Sequence, residues 1–446
     1  MIHKTKLLIY LLSFIVTSAY AQSKFPNRDV NRKINCNWLV KANGDLSAVI
    51  LHDIFSPPVA SRIYVYSNIA AYEAMIPFQH TYKSYSNRIS GLPVLPQPLN
   101  DKKYNYSLCG LRAFYSVSKA LIFSEDFMEE SWNELMKTFP KNESTEEEIL
   151  NSIEYGNEIA SAIIRWVKKD HYIETRTYPR FQPAGKNEFW EPTPPDYAEG
   201  LEPYWSKIRT LVIDSAAQFA APNPPSYNVD PNSEFMKMVQ LVYDSSKFIA
   251  SDSQRIAISK YWDDNPFTTV HEGHFSFSIK KVTPAGHWMG IASIALQKTN
   301  ADIIKAAFTY SLVSISIFDA IISCWNLKYT TNYIRPVTII NRVLDPEWKP
   351  IIQTPPFPEY TSGHGVISGA ASNTLSKIFG EQFQFTDTLE LLNDLDKQEF
   401  KSFRIAAHQA TLSRYYGGIH YYSTALRSVE QGNAVSDYVL SKLYIQ

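Results

Sequence analysis

The stretch AAFTYSLVSISIFDAIISCW, Ala306 to Trp325, decides the fold. It is about as long as a membrane span, yet it carries Asp319 and the hydroxyl residues Thr309, Ser311, Ser314, Ser316 and Ser323. A carboxylate facing lipid is expensive. A helix enclosed by protein on all sides accommodates both the apolar run and the polar groups. The stretch therefore reads as the central helix of a soluble, all-α protein.

Working outward, helical spacing dominates. Ser144 and Glu147 fit a capping box, and Ile149, Ile153, Gly156, Ala160, Ile163 and Val167 follow at helical intervals. Ser61–Met75, Phe235–Ser245 and Ser253–Tyr261 read as further helices, the first ended near Pro77. Sustained strand-like alternation is scarce. Between Tyr178 and Pro231 prolines punctuate the chain, Pro179, Pro183 and Pro192 to begin with, and helix interiors exclude them. Trp190, Tyr197, Tyr204 and Trp205 lie among them and argue for an ordered, packed connection. The organisation is one large helical domain over 22–446. Its N-terminal half runs to about residue 177, the connection spans 178–231, and the C-terminal half spans 232–446.

The first residues read as processing information. Lys4 and Lys6 precede a short apolar run, Leu7 to Thr17, and Ala19-Tyr20-Ala21 offers small residues at a cleavage site before Gln22. The expectation is a signal peptide over 1–21, export to the periplasm or medium, and no stable membrane insertion afterwards. A net charge of −1 gives no sign of nucleic acid as a partner. Of three cysteines, Cys324 reads as a buried thiol, and Cys36 with Cys109 is one pairing that export permits.

Three short segments in the last third carry chemistry. In Lys328-Tyr-Thr-Thr-Asn-Tyr-Ile-Arg335-Pro336, two cations stand at the end of the apolar helix, where an anion is needed to make them cheap. Arginine offers a planar fork to a tetrahedral oxyanion, and lysine a point charge. In Pro358-Glu-Tyr-Thr361-Ser362-Gly363-His364-Gly365, the turn leads into a helix with Ile367, Ala371, Leu375 and Ile378 on one face, stopped by Gly380. A helix N-terminus presents free amides to an anion. Ser362 adds a hydroxyl, Gly363 lets the backbone approach, and His364 puts a titratable group beside the ligand. Ser413-Arg414-Tyr-Tyr-Gly417-Gly418-Ile419-His420 adds an arginine and a histidine, with two glycines to bend the chain. Each segment alone is weak. Three cations, a helix start, a hydroxyl and two histidines in this order are hard to explain as unrelated helix ends.

This ordered set resembles the signature of the superfamily of vanadium-dependent haloperoxidases and type-2 phosphatidic-acid-phosphatase-like acid phosphatases, and the exported, proline-rich remainder resembles its bacterial haloperoxidase-like branch. The resemblance implies a helical-bundle architecture. It implies vanadate as cofactor, with phosphate able to occupy the same site. Lys328, Arg335, Ser362, the Gly363 amide and Arg414 would donate to the oxyanion. His420 would bond vanadium, or attack phosphorus in a phosphatase, and His364 would be the acid–base group. Hydrogen peroxide and a halide, iodide or bromide ahead of chloride, would be the substrates. Two positions depart from the pattern. Thr361 stands where the family has proline, and Thr424 stands where phosphatases have an aspartate behind the nucleophilic histidine. The absence of that carboxylate favours the peroxidase over an exported acid phosphatase. Trp325 and Phe357 resemble the aromatic residues that flank the halide-side cavity.

His271-Glu272-Gly273-His274 lacks the spacing of a zinc-binding helix. His287-Trp288 reads as a packed pair with a supporting role open to it. Asp263 or Asp264 is a candidate partner for Arg335 or Arg414, and Glu146 to Glu148 read as a helix start.

Overall fold

The computed structural model describes residues 34–140, 144–266, 268–272, 274–393 and 395–444. The proposed signal peptide lies outside them. The helices in chain order are α1 (Asn37–His52), α2 (Pro57–Met75), α3 (Tyr106–Lys119), α4 (Glu125–Thr138), α5 (Glu146–Val167), α6 (Tyr172–Thr175), α7 (Glu234–Ile249) and α8 (Ser253–Tyr261). A hairpin follows, β1 (Thr268–Glu272) with β2 (Phe275–Ile279), then α9 (Pro284–Lys298), α10 (Ile303–Thr331), α11 (Pro336–Val343) and α12 (Gly363–Phe379). A second small hairpin, β3 (Phe385–Asp387) with β4 (Gln398–Phe400), precedes α13 (Phe403–Tyr416) and α14 (Tyr422–Leu443). The architecture is an all-α helical bundle in which the strands are minor.

The helix starts are set by local chemistry. Ser56 accepts the Val59 amide with proline at the first helical position of α2; Thr283 and Pro284 do the same for α9. The capping residue of α5 is Thr145, which accepts the Glu148 amide, one position later than the expected Ser144–Glu147 box. Ser144 instead receives a hydrogen bond from the Asn105 side chain, which removes it from the capping role.

Helix α10 is the axis of the bundle. Its apolar stretch is wholly buried by protein. Asp319, fully enclosed at its middle, accepts the amides of Leu211, Val212 and Ile213 at 2.7–3.0 Å. Burial raises its carboxyl to about 6 against those three donors. The proline-rich connection thus supplies the partners that the charge inside the helix demands. Trp190 and Trp205 anchor that connection in the interior, while Tyr197 points outward. One hydrophobic core runs from Ile34 to Leu443 through both halves of the chain.

Helices α12 and α14 make the closest pair. A Cβ on Gly432 would fall 2.1 Å from Val366 O, and one on Gly369 would fall 2.5 Å from Val429 O. Two bare glycines therefore let the backbones touch, and this fixes the start of α12 beside the start of α14. Cys36 and Cys109 are separate buried free thiols, so the pairing considered from the sequence does not form. Cys36 caps α1, whereas Cys109 faces Ser152 of α5. Cys324 is buried as expected.

Candidate active site

A small cavity opens where several chain segments meet. Trp325 comes from α10, Gly363 and His364 from the first turn of α12, Arg414 from the end of α13, and His420 from the bend before α14. Gly418 adopts φ +78°, a left-handed conformation that turns the chain so that Arg414 and His420 converge. Ser362 caps α12 by accepting the Gly365 amide, and its own amide donates to Ser428 Oγ at 2.8 Å. A Cβ on Gly363 would meet Trp325 at an ordinary 3.5 Å. Protein packing does not demand glycine there.

His420 is held at both nitrogens. Nδ1 lies 2.8 Å from Glu359 Oε1, and Nε2 lies 3.2 Å from Arg335 Nη1. Nδ1–H donates to the carboxylate, so Nε2 carries the lone pair, a tautomer assigned from the hydrogen bonds. Burial, then the charges of Arg335, Lys328 and Arg414, push His420 well below the ordinary imidazole range. A neutral imidazole is the form that can bond vanadium or attack phosphorus. Glu359 also accepts the Tyr421 amide at 3.1 Å and the Thr424 hydroxyl at 3.1 Å. Burial lifts its carboxyl to about 7, opposed by Arg335 and Lys328.

This corrects the reading of Thr424. The carboxylate behind the histidine is present, but it comes from the second motif, two residues before Thr361, and Thr424 serves it as a donor. The signal in the sequence is an acid, Glu359, alone in the otherwise uncharged run Pro350 to Ser362.

The cations divide into two kinds. Arg335 spends Nε on Phe357 O at 2.9 Å and Nη1 on Ile419 O at 2.8 Å, while its buried Nη2 has no partner among the described residues. Arg414 spends Nη1 on Trp262 O and approaches Asp263 Oδ1 at 3.6 Å, while its Nε is likewise unpartnered. The aspartate pairing expected for one of the arginines is thus Asp263 with Arg414. Lys328 differs. Its three N–H bonds go to the carbonyls of Pro358, Glu359 and Thr361, with the first two at 3.0 and 3.2 Å. Burial lowers it to about 7. An oxyanion must therefore compete with backbone carbonyls for Lys328, which also pins the loop carrying Glu359. Lys328 and Arg335 lie over the Phe357 ring at 4.8 and 5.1 Å.

His364 lines the cavity. Its Nε2 stands 3.5 Å from Asp264 Oδ2, too far for a hydrogen bond, and has no other partner among the described residues. Burial and Arg414 push it down to about 4, against Asp264. Trp325 and Phe357, 5.3 Å apart, form the apolar side with Pro57, Pro284 and Pro355.

Every residue assigned to the site from the sequence thus lies at the cavity or in direct contact with its wall. Glu359 and the Asp264 pairing were missed. His271 and Glu272 end a strand, not a helix turn, and His274 is exposed. His287 is more than a packed neighbour: it joins Asp264 and Asp387 in buried ion pairs.

Residues 308–444 match the sequence model of the VCPO second helical-bundle domain. A solved bacterial vanadium-dependent iodoperoxidase is 43% identical over 92% of this chain and 97% of that one, with a TM-score of 0.87. The chain belongs to the vanadium-dependent haloperoxidases. The vanadium-dependent bromoperoxidase of Corallina officinalis is 30% identical over 99 residues, which span 20% of this chain and only 17% of that haloperoxidase. A holo-type bacterial vanadium-dependent chloroperoxidase, at 16% identity and a TM-score of 0.63 over 87% of this chain and 93% of that one, shares the haloperoxidase fold.

The donor set fits a vanadate ion. An unpartnered donor on Arg414, a helix start at Gly363 and a lone-pair nitrogen on His420 meet at one small cavity, and Arg335, with its unpartnered Nη2, contacts His420 and Phe357 of its wall. Unsatisfied buried donors are costly, and an oxyanion satisfies them.

Proposed function

We propose that this protein is a vanadate-dependent haloperoxidase that oxidises iodide or bromide with hydrogen peroxide to the hypohalous acid. The observation that carries the reading is His420, neutral, braced by Glu359 at Nδ1 and carrying at Nε2, 3.2 Å from Arg335 Nη1, the lone pair that would bond the metal, beside arginine donors on Nη2 of Arg335 and Nε of Arg414 that lack partners. Arg335, Arg414, Ser362 and the Gly363 amide hold the oxyanion, with Lys328 adding its charge from behind the loop. Bound vanadate supplies a Lewis acid that activates peroxide toward the halide. His364, neutral at pH 7 in the anion-free protein, accepts a proton from the entering peroxide and returns it as product leaves.

The mouth favours large halides. Trp325, Phe357 and three prolines offer few donors to replace a hydration shell. Shedding water costs iodide and bromide less than chloride. Export rests on the pattern of Met1 to Ala21.

A second reading is favoured by Glu359 itself. A carboxylate behind His420 also suits a phosphohistidine intermediate, so acid phosphatase chemistry has its required parts. Assay of the vanadate-loaded protein with iodide, bromide and chloride at equal concentration tests the first reading. Turnover in the order iodide, bromide, chloride supports it; absence of all three contradicts it.

A further inference from the structure

Beside the cavity, four buried ionisable side chains from distant segments form a cluster. Asp264 follows α8, His287 lies in the first turn of α9, Asp387 ends β3, and Glu390 sits in the turn Leu389–Asn393. His287 Nδ1 is 3.0 Å from Asp264 Oδ1, and its Nε2 is 2.9 Å from Asp387 Oδ2. An imidazole can donate to a carboxylate at each nitrogen only as the imidazolium. The Trp262 ring stacks on it at 4.5 Å. The other oxygen of Asp264 faces His364 Nε2 at 3.5 Å.

Asp264, His287 and Glu390 present atoms within 4.8 Å of one another, as metal ligands would. Both nitrogens of His287 are already engaged, however, and one partner, Asp387, lies outside that triad. The cluster holds its cation as a proton.

We propose that His287 and Asp387 are positioning residues for the acid–base side of the cavity: His287, clamped as an imidazolium, keeps the Asp264 carboxylate ionised and turned toward His364. The proposal rests on the acid–base reading of His364. Without the imidazolium, Asp264 stands in the interior near Asp263, Asp387 and Glu390 and takes up a proton. A neutral Asp264 no longer supports a charged His364. The groups facing His364 are Arg414, which opposes its protonation, Asp263 and Asp264, which favour it, and the neutral His420.

The test combines spectroscopy with kinetics. In the vanadate-free protein, nitrogen NMR of the His287 ring reads its protonation directly; protons on both nitrogens between about pH 6 and 8, around the ordinary histidine pKa, are expected. A neutral ring, or ring signals that shift on adding zinc, overturns the clamp. In the vanadate-loaded enzyme, His287→Gln and Asp264→Asn each move the limb of the pH–kcat/KM profile that reports His364 to lower pH by about one unit. The double variant moves it no further than Asp264→Asn alone, and vanadate affinity changes by less than about threefold, because the pair acts through one carboxylate. Asp387→Asn, which keeps shape and volume, gives a smaller shift in the same direction and serves if His287→Gln fails to fold. An unmoved limb in a folded variant contradicts the proposal. If His364→Ala leaves the natural profile intact, the role of His364 fails, and the ring spectrum still decides the clamp.

Discussion

Glu359 Oε1 stands 2.8 Å from His420 Nδ1, and both side chains are buried. The contact joins the second motif to the third. It sets which ring nitrogen faces the arginines, and it places the negative charge that a metal-bound or phosphorylated histidine needs.

Replacing the carboxylate should loosen the cofactor. Glu359→Gln keeps the shape and removes the charge, and loss of such a supporting partner typically costs about 10- to 100-fold in affinity. Equilibrium dialysis with vanadate measures it. Unchanged retention would show that the tautomer is set by something else.

Thr424→Asp should not make a better phosphatase. Thr424 Oγ1 donates to Glu359 Oε2 at 3.1 Å, so an aspartate would set two buried carboxylates against each other. A stability loss on the order of 2 kcal/mol, with no gain in phosphomonoester hydrolysis, is expected. Denaturant unfolding and a phosphatase assay check both. A stable variant with raised hydrolysis would restore the importance of position 424.

Acid should weaken the anion-free protein. His364 is held near 4 in the fold against an ordinary 6.5, and His420 is also depressed. Between those values the unfolded chain binds more protons than the folded one, so stability present above about 6.5 is lost as pH falls toward 4. An oxyanion in the cavity favours both imidazolium forms and offsets the loss. Tm measured from pH 7.5 to 4.5 should fall less steeply with phosphate present, and equal slopes would contradict the assigned environment of the two histidines.

Much of this was legible in the sequence because it is local. The apolar run of α10, the proline-led helix starts and the order of Lys328, Arg335, Ser362, Arg414 and His420 are patterns of spacing. Glu359 was visible as a residue but not as a partner, since its contact with His420 depends on how two loops cross. Asp264, His287 and Asp387 lie on three segments that no period connects, so their ion pairs emerge only in the packed bundle. The three carbonyls that hold Lys328 are backbone groups and leave no mark in the residue types.

His364→Ala should separate binding from turnover. The side chain lines the cavity but makes none of the donor bonds assigned to the oxyanion, so vanadate should stay bound while halide oxidation slows by about a hundredfold. Loss of vanadate with loss of activity would instead make His364 part of the anion cage.

The most direct measurement loads the purified protein with vanadate, removes the excess by gel filtration, and counts retained vanadium beside peroxide-dependent iodide and bromide oxidation and vanadate-free phosphomonoester hydrolysis. His420→Ala is run in parallel. About one vanadium per chain, ready halide oxidation and poor hydrolysis are expected in the natural protein, with both vanadium and oxidation lost in the variant. Robust hydrolysis without vanadate, together with no halide oxidation when vanadate is bound, would contradict the haloperoxidase reading.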